Sequence, residues 1–248
     1  MTPARHAELA GNLPAIRARV AAACAAAGRD VSEITLIAVT KTRPAEDVVA
    51  LTELGLADFG ENRDQEAAPK AAAVAEAGTA PVRWHFIGQL QSNKASHVVR
   101  YASVVHSVDR VRLVRALGNA ARAARTAPEA VAAAPAAVPL TCLVQVSLDG
   151  DAARGGALIS QLPEIAAAIE AEQGLALGGV MAVAPLGVAP ETAFALLRPL
   201  SDTVREINPA ATIISAGMSG DLEAAVRNGA THLRIGTALL GNRSLPVL

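Results

Sequence analysis

Lys41 is the first residue whose position suggests chemistry. It follows Ile34-Thr35-Leu36-Ile37-Ala38-Val39-Thr40, an apolar run rich in β-branched residues that reads as a buried strand. An ammonium inside such a strand would lose its hydration with nothing in exchange, so Lys41 belongs at the strand's end, where a cleft can use it. There it is either a lysine that snorkels to solvent or an amine held for carbonyl chemistry. Two stretches far along the chain bear on the choice. Ser219 stands in SAGMSGDLEAA, and Gly236 and Thr237 stand in RIGTALLG. Each is a glycine-bearing strand end running into a helix, where backbone N–H groups without intrahelical partners favour an anion. Singly, Ser219 reads as an N-cap and Gly236 as a turn; together they read as a cup for phosphate. Strand periodicity puts Arg234 on the face of Gly236, opposite Leu233 and Ile235, so a guanidinium points where the glycine points.

These residues come together only if the elements between them have a particular order. Leu13, Ile16, Val20, Cys24 and Ala27 recur at helical spacing, with Asn12 as N-cap and Gly28 just past the end, so a helix precedes the first strand. After Lys41, Pro44 opens an amphipathic segment that stops near Gly55. Strands are then expected over 58–62, 82–88, 103–109, 140–148, 175–183, 212–217 and 232–237, each followed by a helical or loop-helix return, including helices over 191–207 and 219–228. The segment 126–139, TAPEAVAAAPAAVP, is low in complexity and reads as a flexible Ala/Pro-rich insertion. Eight strand-helix units in 248 residues point to a single (β/α)8 barrel of TIM type with an extra N-terminal helix, one domain over 1–248. An open doubly wound sheet would call for a glycine-rich turn after the first strand, and AVTKTRPAE has no glycine. In such a barrel the site lies at the C-terminal ends of the strands, with phosphate at the seventh and eighth, which gathers Lys41, Ser219 and Gly236 at one end.

Composition narrows the partners. Hydrophobic residues make up 52% and aromatics only 2%, so the core is aliphatic. A formal net charge of -1 supplies no field for nucleic acid or an anionic membrane. No apolar run is long enough to span a bilayer, and the start MTPARHAELAGN lacks the apolar stretch of a signal peptide, so a cytoplasmic protein is expected. Cys24 and Cys142 have no metal-ligand or redox spacing and read as reduced packing residues; no metal site is expected.

A lysine, a phosphate cup and an inward arginine together suggest pyridoxal 5'-phosphate: an aldimine on Lys41, the phosphate at Ser219, Gly236 and Thr237, and Arg234 at the pyridine nitrogen. Arginine, always protonated, leaves that nitrogen unprotonated and the ring a weaker electron sink. Met218 can pack on the ring or fill core, and Asn62 can orient a ring-side hydroxyl or simply close a turn. The segments LIAVTKTRPAEDV, FGENRDQE, WHFIGQLQSNK, HSVD, GGVMAVAP and SAGMSGDLEAAVRNGATHLRIGTALLGNR resemble the YggS/PROSC family of pyridoxal-phosphate homeostasis proteins over essentially the whole chain. Arg234, Gly236 and Ser219 also resemble the arginine-x-glycine and upstream serine of the alanine racemase barrel. The resemblance implies a monomeric (β/α)8 barrel that binds the cofactor on Lys41 and serves cofactor supply and amino-acid homeostasis, with pyridoxal-phosphate-dependent apo-enzymes as conceivable recipients. Arg63 departs from the aromatic that the family often has after GEN.

Racemisation needs a base on each face of the substrate carbon, and Lys41 supplies one. Tyr101 lies in the return after the third strand, and His85, His106 and His232 read as packed or hydrogen-bonded strand residues. Little or no turnover is therefore expected. The alternatives are a catalytic racemase or lyase using the same cofactor, and a cofactor-free Schiff-base aldolase using Lys41 alone.

Overall fold

The computed structural model describes residues 1–126, 138–151 and 155–241. Eight parallel strands close into a barrel in sequence order, the last pairing back on the first. They are β1 (Thr35–Val39), β2 (Asp58–Glu61), β3 (Arg83–Phe86), β4 (Ala102–Val108), β5 (Leu140–Gln145), β6 (Leu175–Met181), β7 (Ile213–Ser215) and β8 (His232–Ile235). The helices are α1 (Pro3–Ala26), α2 (Ala45–Glu53), α3 (Asp64–Glu76), α4 (Ala95–Val98), α5 (Val111–Thr126), α6 (Leu162–Ala171), α7 (Pro190–Phe194), α8 (Leu197–Ile207), α9 (Leu222–Arg227) and α10 (Thr237–Leu240). This is the (β/α)8 barrel with an extra N-terminal helix that the strand-helix alternation predicts. Among the described residues no helix is long and apolar enough to cross a membrane.

Three helices differ from expectation for identifiable reasons. Helix α1 begins at Pro3, because Thr2 caps it by accepting from the Arg5 N–H at 3.3 Å and the buried stripe of Leu13, Ile16 and Val20 extends back through Leu9. Asn12 is therefore not an N-cap but a mid-helix residue. The helix expected over 191–207 is two, since Pro199 in the first turn of α8 has no N–H to continue a ladder from α7. The helix expected from 219 starts only at Leu222, with Asp221 before it. Of the insertion expected over 126–139, Thr126 ends α5, Val138 and Pro139 precede β5, and the rest lies outside the described residues.

The side chains divide into two apolar regions. The larger fills the layer between strands and helices and takes Leu233 and Ile235 of β8, Val48 and Leu51 of α2, and Phe59 and Trp84, whose ring centroids are 6.0 Å apart. Fully burying such an aliphatic side chain is worth about 1.5–3 kcal/mol, and this layer holds the helices on the barrel. The smaller, inside the barrel, comprises Val104, Leu143 and Met181 with Val183 and Ile213 against them. By the two-residue period, His106 faces the same way as Val104, Ser215 as Ile213, and Arg234 as His232. His85, His106, Ser215 and Arg234 are all buried, so the barrel interior is apolar in one part and polar in another. Cys24 and Cys142 are free and buried.

Gly179 of β6 has φ +144°, and a Cβ there would lie 2.0 Å from the carbonyl oxygen of Ile213, its partner on β7. Gly179→Ala is expected to part β6 from β7 and cost more than about 3 kcal/mol by denaturant titration, or to prevent folding. Gly11→Ala, in open space within α1, is expected to stabilise by about 1 kcal/mol.

Candidate functional site

Lys41 sits just beyond β1 in a tight turn closed by the Arg43 N–H donating to Thr40 O at 3.0 Å. The next residue, Thr42, has φ +62°, the left-handed region that a β-branched residue avoids. Such a conformation persists where the surroundings over-determine it. The Thr42 N–H donates to Glu66 Oε2 at 3.0 Å. Thr40 Oγ1 donates to Glu61 Oε1 at 2.7 Å, and Lys70 Nζ donates both to Thr40 O at 2.8 Å and to Glu61 Oε1 at 2.5 Å. Glu61 and Lys70 are buried, and burial raises the Glu61 carboxyl pKa against the opposing pull of Lys70 and Thr40. A buried ion pair thus clamps the residue immediately before Lys41.

A cavity of about 360 Å³ opens at this end of the barrel, at the C-terminal ends of β1, β3, β7 and β8. Its polar wall includes Lys41, Thr42, Arg43, Arg234, Ser219 and Thr237, and Val39, Ile87 and Met218 supply apolar surface. This is the size of a small-molecule site. Ser219 Oγ accepts from the Ala238 N–H at 3.2 Å and lies 3.5 Å from Thr237 Oγ1, so two hydroxyls from neighbouring strand ends converge. Ser219 does not cap α9, as an isolated reading of SGDLEAA suggests; it holds the start of α10 instead. A Cβ on Gly236 would meet nothing nearer than Val39 Cβ at 3.7 Å. The protein's own packing does not require glycine there, and the room it leaves is at the cavity wall.

Helix α1 braces both lips of the cavity. Asn12 Nδ2 donates to Leu239 O at 3.0 Å, Arg5 to Leu240 O at 3.1 Å, and Arg19 to Ser219 O at 2.7 Å. Arg43 adds a bond to Gly241 O at 2.7 Å. The carbonyls at the end of α10 and in the loop after β7 are thereby satisfied by side chains from elsewhere in the chain.

Arg234 is buried, lines the cavity and is fixed from behind, donating to Ser215 Oγ at 2.6 Å and Ala182 O at 2.9 Å. Burial lowers its pKa to about 10, which leaves the guanidinium charged at neutral pH. Behind Ser215 stand His106 and His85, both hydrogen-bonded and neither at the cavity wall. Burial lowers the pKa of His106 well below its ordinary value and that of His232 to about 4, so both rings are neutral at pH 7. Tyr101 is buried with its hydroxyl pKa raised by burial and by the nearby carboxylates of Asp64 and Glu61.

The structure therefore brings Lys41, Met218, Ser219, Arg234, Gly236 and Thr237 to one cavity. It does not bring Asn62, which is absent from the cavity wall and lies against Gly88, where any Cβ would strike Asn62 O at 2.1 Å. Arg63 points outward, 70% exposed, with Glu66 Oε1 at 3.6 Å. Sequence reasoning missed Ile87 as a wall, and it missed Glu61, Glu66 and Lys70. The signal for Glu61 was available: a glutamate at the end of the apolar strand 58–61 needs a cation, and Lys70 is one of only three lysines in the chain. Of the other two, Lys94 is in the 3-10 turn Ser92–Lys94, away from the cavity, which leaves Lys41 as the amine at the wall. Among the described residues no cluster of His, Cys, Asp and Glu could hold a metal.

The family described as "Alanine racemase, N-terminal domain" matches residues 11–244. A curated relative from Mycobacterium bovis, named pyridoxal phosphate homeostasis protein, is 45% identical over 98% of this chain and 96% of its own. A solved structure of PipY from Synechococcus elongatus PCC7942, with pyridoxal phosphate bound, superposes with a TM-score of 0.77 at 30% identity, covering 94% of this chain and all of that one. Alanine racemase from Corynebacterium glutamicum shares the fold, with a TM-score of 0.63 at 13% identity over 95% of this chain and 62% of the racemase.

The clamp on the Lys41 turn can be tested without any ligand. Lys70→Ala leaves Glu61 as a buried, uncompensated carboxylate and is expected to cost about 3–5 kcal/mol in denaturant titration. Lys70→Met with Glu61→Gln removes both charges and is expected to recover most of that loss.

Proposed function

The chain belongs to the alanine racemase N-terminal domain family, and from that membership we propose that it is a pyridoxal 5'-phosphate homeostasis protein that holds the cofactor on Lys41. The observation that carries the assignment is one cavity with an amine, a pair of hydroxyls and a buried guanidinium on its wall. When bound, pyridoxal 5'-phosphate supplies an aldehyde for an amine, a dianionic phosphate and a ring that absorbs visible light. Lys41, at a turn whose backbone is held on several sides, presents the amine. Ser219 and Thr237 present hydroxyls to the phosphate, and Gly236 leaves the room for it. Arg234 can only donate, so it favours an unprotonated ring nitrogen. Ile87, Val39 and Met218 provide apolar surface beside the ring. Asn62 is not included in this set, because it does not reach the cavity wall.

The same wall argues for holding rather than turnover. Its titratable residues, among those described, are Lys41, Arg43 and Arg234. Two arginines stay protonated and cannot serve as the opposing base that racemisation needs. The histidines are engaged inside the barrel and Tyr101 is buried away from the cavity. The proposal extends to a cytoplasmic monomer that supplies pyridoxal-phosphate-dependent apo-enzymes; two free, buried cysteines fit a reducing compartment.

The test is a titration of the purified protein with pyridoxal phosphate, followed by visible absorbance. A saturable band in the wild type and its loss in Lys41→Ala are expected. A wild type that develops no band overturns the cofactor assignment. Amino-acid racemisation or decarboxylation by the loaded wild type, lost in Lys41→Ala, overturns the assignment as a holding protein.

A further inference from the structure

Arg234 is the near end of a chain of hydrogen bonds that crosses the barrel interior. Its Nη1 donates to Ser215 Oγ at 2.6 Å, and Ser215 Oγ is 2.9 Å from His106 Nδ1. His106 Nε2 is 2.9 Å from His85 Nδ1, and His85 Nε2 is 2.9 Å from Asp58 Oδ1. At the far end, on the opposite rim, Arg83 grips Asp58 with two bonds, at 2.7 Å and 2.6 Å. Five elements contribute: β8, β7, β4, β3 and β2.

The chemistry of the ends fixes the direction of every bond between them. Asp58, whose carboxyl pKa is lowered, against the effect of burial, by its bonds to His85 and Arg83, can only accept. His85 must therefore carry a proton on Nε2. If that is the ring's one proton, His85 Nδ1 accepts, so His106 donates from Nε2 and accepts at Nδ1. The Ser215 hydroxyl then donates to His106 and keeps its lone pairs for Arg234. Every donor has an acceptor, and all point from Arg234 toward Asp58. The reverse arrangement requires a charged His85. It would make His106 donate to Ser215 as well, leaving Ser215 Oγ with two incoming donors and no acceptor for its own proton among these partners. It would also put a second positive charge in the buried interior that already holds Arg234. His232, whose ring centroid is 6.3 Å from that of His85, bonds instead to Thr231 Oγ1 and stays outside the chain.

We propose that Asp58, His85, His106 and Ser215 form a one-way hydrogen-bond relay that positions Arg234 as a donor toward the cavity, so that a carboxylate on the far rim sets the geometry at the ligand's ring. These four are positioning residues. None lies on the cavity wall, and each acts through Arg234. The relay accounts for a polar barrel interior that the cavity itself does not use, and it gives the two strand histidines a role other than base.

The inference about ligand geometry rests on the assignment of the cavity to pyridoxal phosphate, whereas the direction of the relay does not, so the test has two arms. Nitrogen-15 NMR of the histidine rings in the protein without added cofactor, at pH 7, is expected to show both His85 and His106 as the neutral Nε2–H tautomer. An Nδ1–H tautomer or an imidazolium at either ring overturns the relay, whatever the cavity binds. In the second arm, Ser215→Ala and His106→Gln are loaded with pyridoxal phosphate. Both are expected to shift the wavelength or pH dependence of the bound-cofactor band and to weaken binding roughly ten- to hundredfold. Wild-type spectrum and affinity in folded variants overturn the positioning role. Where the variants fail to fold, the tautomers of the wild type still decide.

Discussion

The site depends on one buried ion pair at the rim of the barrel. Glu61 and Lys70 sit where neither charge has water, and each tolerates that place only because of the other and of Thr40. Replacing such a pair by apolar residues is often neutral for stability, whereas removing one partner is not, so net stability is a poor account of its presence. Geometry is a better one. The pair ties the strand that carries Lys41 to the strand and helix beside it, and the left-handed Thr42 next to Lys41 is then held in place by Glu66. A lysine side chain has many rotamers, but its backbone anchor here has little freedom.

The opposite wall has a comparable arrangement. Carbonyls at the end of α10 and in the loop after β7 are left without intrahelical partners, and three side chains of the extra N-terminal helix donate to them. Arg234 is fixed from the inside of the barrel rather than from the outside. Amine, hydroxyls and guanidinium are thus each set by a different part of the molecule, and the cavity is the space left between them. The wall carries one amine and two arginines, groups that suit an anion and a carbonyl.

Much of this was legible in the sequence, because strand and helix periods survive in an alanine-rich chain. The eight strands, the lysine at the end of the first, and the arginine, glycine and serine of the seventh and eighth followed from spacing alone. What escaped did so for physical reasons. Asn12 had the right type for an N-cap, but the apolar stripe reaching back to Leu9 kept the helix going, and the amide found a carbonyl across the fold. Ser219 had the right place for a cap on its own helix and caps another. Asn62 stands at a strand end beside the site in sequence, yet it is not among the residues of the cavity wall, and its backbone lies close against Gly88. The histidine chain joins residues far apart in sequence that no local pattern encodes, whereas Glu61, at the end of an apolar strand and nine residues before Lys70, did signal its need for a cation.

The central claim is that Lys41, and no other amine, receives the cofactor. Three lysines in the whole chain make the question unusually easy to settle. The loaded protein would be reduced with borohydride, digested, and mapped by mass spectrometry. The account predicts the pyridoxyl label on the peptide containing Lys41 and none on those containing Lys70, whose amine is committed to Glu61, or Lys94, which lies away from the cavity. A label on either of those peptides, or on none of the three, would contradict it.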